Sequence, residues 1–196
     1  AWIQHFLYHL SPNGGHAGFV MAKGALTSNS SGEGDIRKEL VEAGLIDCIV
    51  NLPPKLFLNT QIPASLWFMR RGKDYRQGEI LFIDMRNMGH LINRRTLELS
   101  DDDIGQVAKI YHDWRNGNDH YADIAGFCKS ASVEDVAEKG YVLTPGRYVG
   151  LEETQDDFDF EERFTELKAE LEEQMKEEAN LNERIRENLT KVQING

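Results

Sequence analysis

The chain has 196 residues, 40% of them hydrophobic, and a formal net charge of −11. That length sustains one domain with a genuine core and room for an appendage, and no apolar run approaches the ~20 residues that span a bilayer. The overall acidity argues against tight, non-specific phosphate binding by the whole chain.

Trp2, Ile3, Phe6, Leu7 and Leu10 recur at helical spacing until Ser11-Pro12-Asn13-Gly14-Gly15 stops them. Ala1 to Leu10 has neither the basic start nor the cleavage site of a signal peptide, and an opening in mid-element reads as a fragment. His16 to Ala22 reads as a short strand. A polar loop leads to a helix over Asp35–Ala43, with Ile36, Leu40 and Val41 inward and Gly44 as the stop. Leu45 to Val50 is an apolar, β-branched run that Pro53-Pro54 ends, since neither proline can donate to a ladder. Phe57 is left at the loop tip, as a lid on the core or a stacking platform for something flat.

A second apolar run covers Ile62–Met69, and its short connection makes it an antiparallel neighbour of the strand before it. Gly78 to Met85 adds another strand. Helix, strand, helix, strand with short connections is the rhythm of parallel α/β architecture, so residues 1–99 read as the second half of an open α/β sheet with an antiparallel strand near its edge. Ser100 and Asp103 resemble a capping box at the start of a helix whose inner face is Ile104, Val107, Ala108, Tyr111 and Trp114. Residues 100–150 form a mixed extension, with a short helix over Val133–Glu138 and a sharp turn at Pro145-Gly146.

Residues 151–196 carry 15 acidic and 6 basic residues against 18 and 16 in the remainder, which marks a boundary near Gly150. A helix from Phe160 to Val192 is predicted there. Phe164, Leu167, Leu171, Leu181, Ile185 and Leu189 sit on its apolar stripe with Met175, and at ~50 Å it outruns a globular core. Its stripe is expected to meet a partner chain.

Several motifs have plain readings. Cys48 and Cys128 are too few for a disulfide framework or a CxxC metal site, and imply reduced thiols and a cytoplasmic setting. His16, His90, His112 and His120 show no metal-ligand spacing with cysteines or carboxylates, so no metal site is expected. Asn51-Leu52-Pro53-Pro54 invites comparison with the Asn-Pro-Pro-aromatic loop of amino methyltransferases. Leu52 intervenes, however, and no aromatic follows Pro54, so strand termination is the reading. Arg70, Arg71, Lys73 and Arg76 form the densest basic set, beside Tyr75 and with Arg94-Arg95 further on. Arg70, Arg71 and Lys73 are candidate DNA contacts, weighed against a solvated strand end.

Taken together, Ile36-Arg37-Lys38-x-Leu40, Leu45-Ile46-Asp47, Leu52-Pro53-x-x-Leu56-Phe57-x-x-Thr60-x-Ile62-Pro63, Leu81-Phe82-Ile83-Asp84 and Leu143-Thr144-Pro145-Gly146-Arg147-Tyr148-Val149-Gly150 closely resemble the C-terminal portion of the methyltransferase (modification) subunit of type I restriction–modification systems. The resemblance implies a bacterial or archaeal adenine-N6 DNA methylase using S-adenosylmethionine, built on a Rossmann-like sheet. It implies that the cofactor's glycine-rich loop and the catalytic Asn-Pro-Pro-Phe loop precede this segment, so that no catalytic residue lies in it and the segment alone is inactive. Phe57 would stack on the flipped-out adenine. The terminal helix would dock on the DNA-specificity subunit, with a nuclease subunit as a further partner. The competing expectation is a non-catalytic interaction module with a coiled-coil-like arm.

Overall fold

The computed structural model describes residues 2–58, 60–73, 75–117, 120–151 and 160–191, the side chains of 160–163, 166, 187 and 189–191 excepted. Two compact units follow one another, Ala1–Glu152 and Glu153–Gly196. In chain order the first contains α1 (Trp2–His9), β1 (His16–Ala22), α2 (Glu33–Glu42), β2 (Ile46–Asn51), β3 (Ala64–Arg70), β4 (Glu79–Asp84), a small hairpin of β5 (His90–Leu91) and β6 (Leu97–Glu98), α3 (Asp101–Arg115), β7 (Cys128–Ser132) and α4 (Val133–Glu138). The second holds α5 (Phe160–Lys191). No helix among the described residues is long and apolar enough to cross a membrane.

The main sheet has the order β1-β3-β2-β4-β7. β2 and β4 are parallel, whereas β1/β3, β2/β3 and β4/β7 are antiparallel. The parallel architecture expected from the rhythm of elements is therefore corrected to a mixed, mostly antiparallel sheet. The reason is topological. β1 and β2 do run in the same direction, but the chain returns from β2 without a crossover helix and lays β3 between them. Pro63 delays that return strand to Ala64, two residues later than the apolar run suggests.

Side-chain alternation along buried strands feeds two cores. Ile49, Trp67, Ile80 and Phe82 face α2 and α4; Cys48, Val50, Leu81 and Ile83 face α3 and Trp114. Ile46 lies on the first face although it shares parity with Cys48. The register slips between these two residues, and a bulge at Asp47 accounts for the change of side. Helix starts follow local chemistry: Ser100 and Asp103 make a reciprocal capping box on α3, and Ser132 and Asp135 make another on α4. The Thr-Pro-Gly-Arg-Tyr segment closes the first core by stacking Tyr148 on Phe82, with ring centroids 3.8 Å apart.

Candidate functional site

β1, β2 and β4 share one direction, so Ala22, Asn51 and Asp84 lie along one carboxyl edge of the sheet. In α/β sheets that edge is where ligands sit. Two of these residues are tied together: Asn51 Nδ2 donates to Asp84 Oδ1 at 2.9 Å, with both side chains buried. Asp84 also accepts from the backbone N–H of Arg86 at 3.1 Å, from its Nε at 2.8 Å, and from its Nη2. The Asn51 amide thus faces inward as a strand-end tie. A Cβ at position 146 would collide with Arg86 Nη2 and come within 3.1 Å of Asp84 Oδ2. Gly146 is therefore what lets the guanidinium lie across the Pro-Gly turn.

Burial alone would raise the Asp84 carboxyl. Hydrogen bonds from the Arg86 side chain, the Asn51 amide and the Arg86 backbone outweigh it and hold the group below the usual carboxylate range. A depressed native value gives stability that is fully present above the unfolded-state value of about 4 and is lost as pH falls through the native one. Asp84→Asn is expected to cost about 1–3 kcal/mol at pH 7. Its gap from wild type should narrow at pH 3 in urea denaturation, and a gap independent of pH would contradict this assignment.

The loop that leaves Asn51 is short and pinned. Leu52 N–H donates to Ala64 O at 2.9 Å, and Leu97 N–H of β6 donates to Lys55 O at 2.9 Å. Lys55 has φ +65°, a left-handed conformation costly for a side chain with a Cβ and held here by that β6 bond. Phe57 bridges to Thr60 across a tight turn and is 38% exposed, neither sealed in the core nor fully solvated. Leu58 and Ile62 beside it are exposed.

Arg70, Arg71 and Lys73 lie at the other end. β3 runs away from the loop, and the six steps from Ala64 to Arg70 carry the chain ~20 Å to the amino edge of β2. Arg70 there lies over the Tyr75 ring at 4.6 Å. Lys73 is buried, 3.3 Å from Asp47. Asp47 accepts from Tyr75 OH at 3.0 Å and Tyr111 OH at 2.7 Å, joining α3 to the sheet. Burial lowers the Lys73 ammonium despite the pull of Asp47, and burial with the Asp47 carboxylate raises the Tyr111 hydroxyl. This cluster is inward-facing and remote from Phe57, which removes Lys73 as a surface contact. The basic residues that do share the loop's end are Lys55 with Arg94 and Arg95; the arginine pair is visible in sequence, but its return beside Lys55 is not.

On α5, Phe164, Leu167, Leu171, Met175, Leu181 and Ile185 are exposed. The Leu189 side chain and Val192 lie outside the described residues. Cys48 and Cys128 are buried free thiols, raised by burial. Among the described residues no group of histidine, cysteine or acidic side chains is placed to hold a metal.

A mixed α/β sheet with a polar tie and an aromatic-bearing loop on its carboxyl edge is consistent with a methyltransferase fold. The chain belongs to the N-6 DNA methylase family, which matches residues 1–157. It is 46% identical over 190 residues to the type I restriction enzyme HindI methylase subunit of Haemophilus influenzae, covering 96% of this chain and 42% of that protein. It is 43% identical over 188 residues to the type I restriction enzyme MjaIX methylase subunit of Methanocaldococcus jannaschii, covering 95% of this chain and 33% of that one. The solved methyltransferase subunit of the type I restriction-modification system of Streptococcus thermophilus superposes with a TM-score of 0.67 at 30% identity, over 76% of this chain and 29% of that one. The chain thus spans less than half the length of these relatives.

Proposed function

We propose that this chain is the C-terminal part of a type I restriction–modification methylase subunit that methylates adenine N6 in DNA, and that Phe57 is its platform for the extruded base. The observation that carries the reading is a half-exposed aromatic on a pinned loop at the carboxyl edge of the sheet. Chemistry on a duplex base requires extrusion, and a displaced adenine needs a flat apolar wall. Family membership supports the chemistry, and the lengths of the relatives support the division of labour. Residues 1–99 supply the later strands of a Rossmann-like sheet, 100–150 an extension, and 151–196 an acidic segment carrying α5 for subunit contact. β1 pairs on one side only among the described residues, and Trp2, Tyr8 and Val20 around it are exposed. We assign that edge to the preceding half of the sheet.

Members of an N6 methylase family draw on S-adenosylmethionine as methyl donor. Asp84, a carboxylate on the sheet's carboxyl edge, is already engaged by Asn51 and Arg86, which supports placing the cofactor's site outside this chain. Cofactor binding and the catalytic Asn-Pro-Pro-Phe loop are therefore given to the remainder of the subunit. The exposed stripe of α5 suits a helical partner, which we take to be the specificity subunit, with the nuclease subunit joining the same cytoplasmic assembly. That arrangement lets an acidic chain serve a DNA enzyme, since sequence readout belongs elsewhere.

Labelled methyl transfer to unmodified genomic DNA tests the proposal. The full-length subunit assembled with its specificity subunit should methylate adenine N6, and the 196-residue chain alone should not. Transfer by the short chain, or none by the assembled full-length protein, would overturn it.

A further inference from the structure

We propose that the β5–β6 hairpin together with Lys55 forms a contact surface for the sugar-phosphate backbone of DNA immediately beside Phe57, an inference that rests on the base-handling role given to that loop. The hairpin is tied to the loop by the backbone bond from Leu97 to Lys55, and Lys55 Nζ donates to the Arg94 carbonyl at 3.4 Å. Three cations from segments ~40 residues apart are thereby gathered at one end of the sheet. Arg94 and Arg95 are exposed at the hairpin tip.

Among the described residues no carboxylate offsets their charge, in contrast to several other surface lysines. Lys38, Lys109 and Lys129 each face a carboxylate, Glu42, Asp113 and Asp123 respectively. Among the described residues no carboxylate lies within ion-pair distance of Lys55, Arg94 or Arg95. In a chain of net charge −11, unpaired cations concentrated beside the candidate base platform mark a local site for phosphate rather than a general affinity for polyanions. Arginine is also the side chain whose fork suits phosphate oxygens.

The surface is preformed. Gly89 enters the hairpin at φ +87°, and a Cβ there would collide with the Leu97 side chain and lie 2.7 Å from Glu98 O. The turn is therefore fixed against β6 by contacts that only glycine permits. Leu91 and Ile92, 58% and 54% exposed, flank the arginines and offer apolar contact to deoxyribose. Phosphate contacts fix register and orientation without reading sequence. This is what a base platform needs from its surroundings if specificity comes from another subunit.

The test uses the full-length subunit with its specificity subunit and a duplex containing a site mapped by N6-methyladenine sequencing of the encoding genome. Binding is measured between 50 and 200 mM salt. Arg94→Gln/Arg95→Gln should lower the magnitude of the slope of log K against log salt by about 1.8, at roughly 0.9 per phosphate lost. Phe57→Ala should weaken binding equally at every salt concentration. An unchanged slope in a folded double variant, with Phe57→Ala still impaired, overturns the backbone contact and leaves the base platform standing. A lowered slope with Phe57→Ala fully active supports the contact surface and removes the platform instead.

Discussion

Phe57→Ala in the full-length subunit is expected to lower kcat/KM for DNA methylation by about 5- to 150-fold, the equivalent of the ~1–3 kcal/mol that one base–aromatic stack contributes. The fold should tolerate the change. The ring is 38% exposed, and the loop is held by backbone bonds at Leu52 and Lys55 that do not involve it. Thermal stability should therefore move little, and affinity for S-adenosylmethionine should stay as in wild type. Phe57→Tyr keeps the flat face and should retain most activity, whereas Phe57→Leu keeps the apolar volume without the ring and should not. Equal activity for the leucine and tyrosine variants would mean that Phe57 is a hydrophobic plug.

Asp47→Ala is expected to be the most destabilising single substitution at a polar position. Asp47 and Lys73 are both buried at 3.3 Å, and two tyrosine hydroxyls, from Tyr75 and Tyr111, donate to the same carboxylate. Removing it leaves an ammonium in a low-dielectric setting, which costs about 3–5 kcal/mol. At ~2–4 °C per kcal/mol for a chain of this size, Tm should fall by roughly 10 °C. The direction of the Lys73 shift adds a second expectation. Burial lowers this group in spite of Asp47, and replacing a buried ion pair by apolar side chains of similar volume is often neutral. Asp47→Leu/Lys73→Met should accordingly recover most of the loss. A double variant as unstable as Asp47→Ala would mean that the tyrosine bonds, and not the ion pair, hold α3 to the sheet.

Much of the fold was legible because local chemistry and tertiary need agree. The Ser100 and Asp103 pair, the Val133–Glu138 helix and the antiparallel return after Pro53-Pro54 each follow from a few residues. β7 was missed because Cys-Lys-Ser-Ala-Ser is short, polar and without alternation. Only pairing with β4 makes it a strand. The two-residue strands of the hairpin give no periodic signal at all. Strand direction decided the candidate contacts. Arg70 is close to Phe57 in sequence, yet β3 carries it to the far edge, while Arg94 is far in sequence and returns through the bond between β6 and Lys55. Gly146 was readable as a turn residue, but its reason, the Arg86 guanidinium lying across it, depends on a contact between segments 60 residues apart.

The most direct test of the base-platform claim is the fluorescence of 2-aminopurine placed at the methylated adenine of a target duplex, titrated with the assembled full-length enzyme. Extrusion onto the Phe57 ring predicts quenched emission in the wild-type complex and a several-fold rise when Phe57 is replaced by alanine. Identical emission from the two complexes, with DNA fully bound in both, would contradict the account.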